Sequence, residues 1–227
     1  MPVFKLHRQI WFPPPEMAEP DGLLAVGGDL SPERILAAYR QGIFPWYGEG
    51  NPILWWSPAP RLVLFPEAFH LSRRLARIIR QNIFTVRADT AFKDIIANCA
   101  AIRRKNEEGT WITNEMIAAY CRLHELGFAH SIECWRGDTL AGGLYGLALG
   151  RVFFGESMFS KYSNASKVAL HALVQYAVAG GIRMIDCQMR TRHLIGLGAE
   201  EIPRAQFQEL LRSYLFPLAP QKKWRLH

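Results

Sequence analysis

Two periodicities divide the chain. Spacings of three and four residues run through residues 70–82, where Leu71, Leu75 and Ile78 form one side of a predicted helix and Arg73, Arg77 and Arg80 another. A second helix is predicted over 90–102. Thr113 caps a third, with Met116, Ile117, Tyr120 and Leu123 as its apolar stripe and Gly127 as its stop. The period then shortens to two. Residues 131–135 read as a strand, and 140–149 with 152–160 as a hairpin turning near Gly150. Helical spacing returns over 164–179, with Val168, Leu170, Leu173 and Val174 apolar, and Gly180-Gly181 closes it. Residues 183–189 give another strand, and Pro203 opens a last helix to about Leu215. This order predicts an α+β domain with a mostly antiparallel sheet.

The first sixty residues lack such regularity. Pro13-Pro14-Pro15 cannot lie inside a helix, and Asp21-Gly22 and Gly27-Gly28-Asp29 mark turns. Ser31-Pro32-Glu33 is a helix start, with Ser31 as N-cap and Gly42 as the stop. The expected division is a small irregular N-terminal domain, 1–60, and a larger domain, 61–227.

Composition places the chain among ordinary globular proteins, with 49% apolar and 21% charged residues in 227. The net charge of +7 is concentrated. Between Arg61 and Lys105 stand ten basic residues (Arg61, Arg73, Arg74, Arg77, Arg80, Arg87, Lys93, Arg103, Arg104, Lys105) against three acids, Glu67, Asp89 and Asp94. That excess accounts for the whole net charge. It suggests a polyanionic partner, with a solvated charged face as the plain alternative. Cys99, Cys121, Cys134 and Cys187 form no C-x-x-C pair and no zinc spacing, so buried free thiols are expected and no metal. Residues 1–11 lack the apolar run of a secretory signal, and no run approaches membrane-spanning length. A cytoplasmic protein without membrane contact is expected.

Chemistry is suggested by acids inside apolar strands, where they are costly unless paired or used. Strand alternation puts Glu156 and Met158 on one face unless a bulge intervenes, and likewise Asp186 and Gln188. Such carboxylates mark a site or a satisfied buried polar network. Glycine-rich phosphate motifs are absent. The order of elements is similar to an acyl-CoA-dependent acetyltransferase. That family's pyrophosphate turn carries glycine, whereas residues 160–165 here read Ser-Lys-Tyr-Ser-Asn-Ala, which argues against coenzyme A as donor.

The blocks Asp21-Gly22-Leu23-Leu24-Ala25-Val26-Gly27-Gly28-Asp29-Leu30-Ser31, Gly42-Ile43-Phe44-Pro45-Trp46, Leu54-Trp55-Trp56-Ser57-Pro58, Thr110-Trp111-Ile112, Gly155-Glu156-Ser157-Met158-Phe159-Ser160, Asn164-Ala165-Ser166-Lys167 and Leu197-Gly198-Ala199 resemble the leucyl/phenylalanyl-tRNA–protein transferases. The resemblance runs from about residue 10 to 213. It implies a small N-terminal domain, an acetyltransferase-like C-terminal domain and no cofactor, because an aminoacyl ester is already activated. The implied donors are Leu-tRNA and Phe-tRNA, with Met-tRNA used less well. The implied acceptors are proteins beginning with Arg or Lys, which the added residue marks for proteolysis.

The same resemblance implies a role for each matching residue. Gln188 would meet the attacking amine, Asp186 would polarise Gln188, and Glu156 would help hold the acceptor. Leu144, Phe153, Met158 and Ile185 would wall the donor side-chain pocket, or serve as ordinary core. Trp46 and Trp111 would enclose the terminal adenosine, or fill the core. Arg73, Arg74, Arg77 and Arg80 would meet acceptor-stem phosphates. Four positions depart from the family: Ala59, Gly196, Leu173 and Ala177, the last two where some members carry aromatics. His193 reads as a locally bonded loop residue. Two other functions fit less well, an acyl-CoA N-acyltransferase and a non-catalytic RNA-binding module; the latter leaves Glu156, Asp186 and Gln188 unexplained.

Overall fold

A computed structural model describes residues 3–102, 111–216 and 219–226. Its elements in chain order are β1 (Phe4–Leu6), β2 (Leu23–Gly27), α1 (Pro32–Tyr39), β3 (Phe44–Pro45), β4 (Leu54–Trp56), β5 (Arg61–Leu64), α2 (Arg73–Arg80), β6 (Thr85–Ala88), α3 (Phe92–Ala101), α4 (Asn114–Glu125), β7 (Ala129–Arg136), β8 (Thr139–Leu149), β9 (Val152–Ser160), α5 (Ala165–Gly180), β10 (Met184–Gln188), α6 (Arg192–Ile195), β11 (Glu200–Ile202) and α7 (Arg204–Tyr214). The expected α+β class is the one observed. A seven-stranded sheet, in the order β11-β5-β10-β9-β8-β7-β6, is antiparallel at every junction except β9–β10.

Local rules account for most of these elements. The Thr113 side chain accepts from the Met116 N–H and starts α4, and Ser72 does the same for α2 through Leu75. Gly181, at φ +79°, ends α5 in the left-handed conformation that glycine adopts without penalty. Other expectations shift. The helix expected over 70–82 covers only 73–80, so Leu71 precedes it and is exposed. Ser31 sits at the N-cap of α1, but its hydroxyl bonds Asp29 rather than a helical N–H. Residues before 60 are more regular than expected: β1, β2, β4 and β3 form a four-stranded sheet. The four cysteines are free, but Cys121 and Cys187 are only half-buried.

The large sheet separates two apolar layers. On one face α5 packs with Leu144, Phe153, Ile185 and Trp224. On the other, α3 and α4 join α1 and the small sheet around Phe154, Tyr145 and Trp55 in one continuous cluster. Glycines in β8 permit this closeness. A Cβ on Gly146 would stand 2.1 Å from the Phe154 carbonyl oxygen and 2.6 Å from the Phe153 ring. Among the described residues no helix is long and apolar enough to cross a membrane.

Candidate active site

The site begins where two strands part. β9 and β10 pair through Met184, Ile185 and Asp186, opposite Val152, Phe153 and Phe154, and no further. Beyond that point lies a cleft of about 590 Å³, whose lining includes Gly155 to Met158 from one strand and Cys187 and Gln188 from the other.

Each strand carries one extra residue at this point. On β9, Ser157 faces Tyr145 and Gly155 faces Gly146, so Glu156 is unmatched and forms a bulge. The alternation changes phase there. Glu156 turns with Phe154 and Phe159 toward the α3/α4 layer, while Met158 turns with Phe153 toward the α5 layer. The expectation that Glu156 and Met158 share a face is therefore corrected, although both border the cleft. On β10, Asp186 faces Val63 and Gln188 faces Leu62, leaving Cys187 unmatched. Gln188 has φ +61°, and the Met189 N–H donates to the Cys187 carbonyl at 2.8 Å, closing a tight turn around it.

Asp186 is fully buried and forms a two-point ion pair with Arg61. Nε donates to Oδ1 at 2.9 Å and Nη2 to Oδ2 at 2.7 Å. The guanidinium also lies over the rings of Phe44 and Phe207, at 4.9 and 4.7 Å. Asp186 accepts from the backbone N–H of Gln188 at 2.9 Å. It thus fixes the strained turn, and the expected contact with the Gln188 amide group is made instead by Glu156, whose Oε1 lies 3.2 Å from Nε2.

Glu156 closes a ring of oxygens with two phenols. Tyr39 Oη lies 2.7 Å from Oε1, Tyr120 Oη 3.2 Å from Oε2, and the two phenols 2.6 Å from each other. Both hydroxyls donate to the Glu156 carboxylate, and either phenol can donate to the other. Burial, with the Asp186 charge adding to it, pushes the Glu156 carboxyl up to about 7 against the hydrogen bonds that favour its anion. Burial and the nearby carboxylate hold both phenols well above their usual range.

The cleft brings together most residues expected at the site. Leu144, Phe153, Met158 and Ile185 line it with Leu170 and Leu173; Trp46, Trp111, Glu156 and Gln188 line it too. Trp46 and Trp111 are half-buried, and the Trp46 carbonyl accepts from Trp56 Nε1 at 2.7 Å. Asp186 stands behind the cleft wall. Ala177 is buried in the α5 layer. Arg73, Arg74, Arg77 and Arg80 are exposed on α2, away from the cleft lining. Of the other basic residues, Arg61 is buried, and Arg103, Arg104 and Lys105 lie outside the described residues, as does Thr110. His193 is on α6 rather than in a loop, at the edge of the cleft, with its pKa lowered by burial and Lys167. Sequence reasoning missed the roles of Tyr39, Tyr120 and Arg61. The two tyrosines fit apolar stripes, and Arg61 pairs with a residue 125 positions away.

Comparison with known proteins agrees. The model of the family described as leucyl/phenylalanyl-tRNA protein transferase matches residues 63–212, and that of the family's N-terminal domain matches 28–59. A leucyl/phenylalanyl-tRNA–protein transferase of Desulfatibacillum aliphaticivorans is 59% identical over 227 residues, 100% of this chain and 97% of the relative. One from Anaeromyxobacter sp. (strain Fw109-5) is 57% identical over 226 residues, 100% and 96% of the two chains. Among solved structures, a GCN5-related N-acetyltransferase from Kribbella flavida is similar with a TM-score of 0.38 and 11% identity, over 75% of this chain and 60% of that one. With two family models and near full-length identity above one half, the chain belongs to the leucyl/phenylalanyl-tRNA protein transferase family and is an aminoacyl-tRNA–protein transferase.

Proposed function

We propose that the chain takes leucine or phenylalanine, and methionine less well, from charged tRNA and joins it to the N-terminal Arg or Lys of acceptor proteins in the cytoplasm, marking them for proteolysis. The observation that carries this is one cleft lined both by the apolar Leu144, Phe153, Met158 and Ile185 and by the polar Glu156 and Gln188. A Leu or Phe side chain suits the first, and a cationic acceptor suits the second. Met158 adapts to both donor shapes. Trp46 and Trp111 offer aromatic faces to the terminal adenosine.

In this mechanism the Gln188 Nε2 is committed to Glu156, so the amide oxygen accepts from the incoming α-amine and orients its lone pair. The amine nitrogen bonds to the ester carbonyl carbon, and the bond from that carbon to the ribose oxygen breaks. One proton leaves the amine and one is gained by the ribose oxygen. Glu156, titrating near 7, is placed to hold the acceptor and tune the Gln188 amide. Asp186 and Arg61 keep the Gln188 turn in place. The α2 arginines Arg73, Arg74, Arg77 and Arg80 meet tRNA phosphates without reading sequence. The deciding experiment incubates Phe-tRNA with an Arg-starting peptide and weighs the product. A gain of one phenylalanyl residue, lost when the peptide's α-amine is acetylated, supports the reading; no gain with either Phe-tRNA or Leu-tRNA sinks it.

A further inference from the structure

An open groove of about 1070 Å³ runs along the outer side of α5, between that helix and residues 219–226. His171, Ala172, Gln175 and Tyr176 form its floor, and Lys222, Lys223 and Arg225 its far wall. A second depression, of about 490 Å³, shares His171 and is bounded by Arg73, Ala76 and Arg80 of α2. Together they make one trough across α5 with cations on both banks. Neither α2, nor α5, nor residues 219–226 contain a carboxylate.

The outer bank is held in place. Trp224 is buried, its N–H donates to Asp89 Oδ2 at 2.7 Å, and its ring stacks on His130 and Tyr176, each at 4.3 Å. The Gln221 N–H donates to the Gly127 carbonyl, and Gln221 Oε1 accepts from Trp224 Nε1. With Trp224 turned inward, Lys222, Lys223 and Arg225 stand exposed on an anchored stretch of backbone. A backbone already anchored loses less freedom when its side chains meet a ligand. Positive charge on two banks, with no carboxylate on the three segments that form them, suits a repeating row of phosphates. One helix, about 10 Å across, separates this trough from the cleft, because Leu170 and Leu173 of α5 line the cleft.

We propose that the sugar–phosphate backbone of the donor tRNA crosses this trough, held by Arg73 and Arg80 on one bank and by Lys222, Lys223 and Arg225 on the other. The proposal rests on aminoacyl-tRNA being the donor in the cleft. It is tested with the triple variant Lys222→Gln, Lys223→Gln, Arg225→Gln, whose three side chains are all exposed. The Michaelis constant for charged tRNA should rise roughly tenfold, and the log–log salt slope of tRNA binding should flatten by about two. Reaction with phenylalanyl-adenosine, which has no stem, should continue at the wild-type rate. A triple variant with the wild-type slope, beside an Arg73→Gln/Arg77→Gln variant that flattens it, overturns the proposal and leaves the donor reading intact. Equal slowing with both donors also overturns it, since the segment would then act on the cleft. So does binding to phosphatidylglycerol vesicles that the triple variant loses while tRNA binding is kept. If neither variant alters the slope and phenylalanine is not transferred, the donor reading fails with it.

Discussion

Replacing Glu156 by glutamine removes a charge but keeps a hydrogen-bonding group of the same shape, so it isolates what ionisation does to the fold. In the folded chain this carboxyl is buried in the ring with Tyr39 and Tyr120 and titrates near 7; its ordinary value is 4.5. Below pH 4.5 it is protonated in both states. As pH rises the unfolded chain ionises first, so the folded state loses stability across the window from 4.5 to 7. Above 7 both states are ionised and the loss is complete. The difference between the two values amounts to about 3 kcal/mol. Glutamine cannot titrate. Urea unfolding of both proteins at half-unit steps from pH 5 to 8 gives the difference in stability, from which other groups cancel. Wild type minus variant should fall by about 2–3 kcal/mol over that range and level off above 7. A flat difference would refute the raised titration of the buried carboxyl. A rising one would mean that the phenols and Gln188 hold Glu156 as an anion.

Three further outcomes are expected. Gln188→Ala should lower the single-turnover rate about 10²-fold with donor and acceptor binding little changed. In a double-mutant cycle its loss should be strongly sub-additive with that of Glu156→Gln, because the amide is held by that carboxyl; simple addition would break the assignment. Met158→Ala should cost about 1–3 kcal/mol in kcat/KM for aminoacyl-tRNA or invert the Leu/Phe preference, and unaltered donor kinetics in a folded variant would make Met158 mere packing. Arg61→Met leaves the Asp186 charge buried and unpaired, so thermal or urea unfolding should show a loss of about 3–5 kcal/mol, and a loss under 1 kcal/mol would contradict the buried pair.

Much of the fold is legible in the chain because its signals are local. The Thr113 cap, the Gly150 turn and the Gly181 stop each act within a few residues, and the structure carries all three. What is hidden depends on partners far away. β5 and β11 are four and three residues long and exist through the pairs Leu62–Glu201 and Val63–Asp186. No periodicity can announce strands that short. The bulges at Glu156 and Cys187 are likewise properties of two strands together, so alternation alone put Glu156 and Met158 on the same face. At the site, residue types were readable, and the bonds were not. Tyr39 and Tyr120 look apolar from spacing because their rings do face the core; only the hydroxyls at their tips reach Glu156.

The place of β5 in the sheet bears on how the chain is born. Its neighbours are β10 and β11, so residues 61–64 wait for about 120 more residues to be made before either partner exists. At ordinary rates of protein synthesis that is roughly 6–24 s. Throughout that interval Leu62, Val63 and Leu64, all fully buried at the end, are a short sticky strand without a mate. Arg61 stands at its head and still lacks Asp186, so its charge is free to discourage aggregation. The guanidinium that later pairs with Asp186 behind the cleft first serves the nascent chain as a guard. The β11-β5-β10 end of the sheet is thus the last part able to close, after the β7–β9 meander is complete, and slow folding through long-range pairing follows from the topology itself.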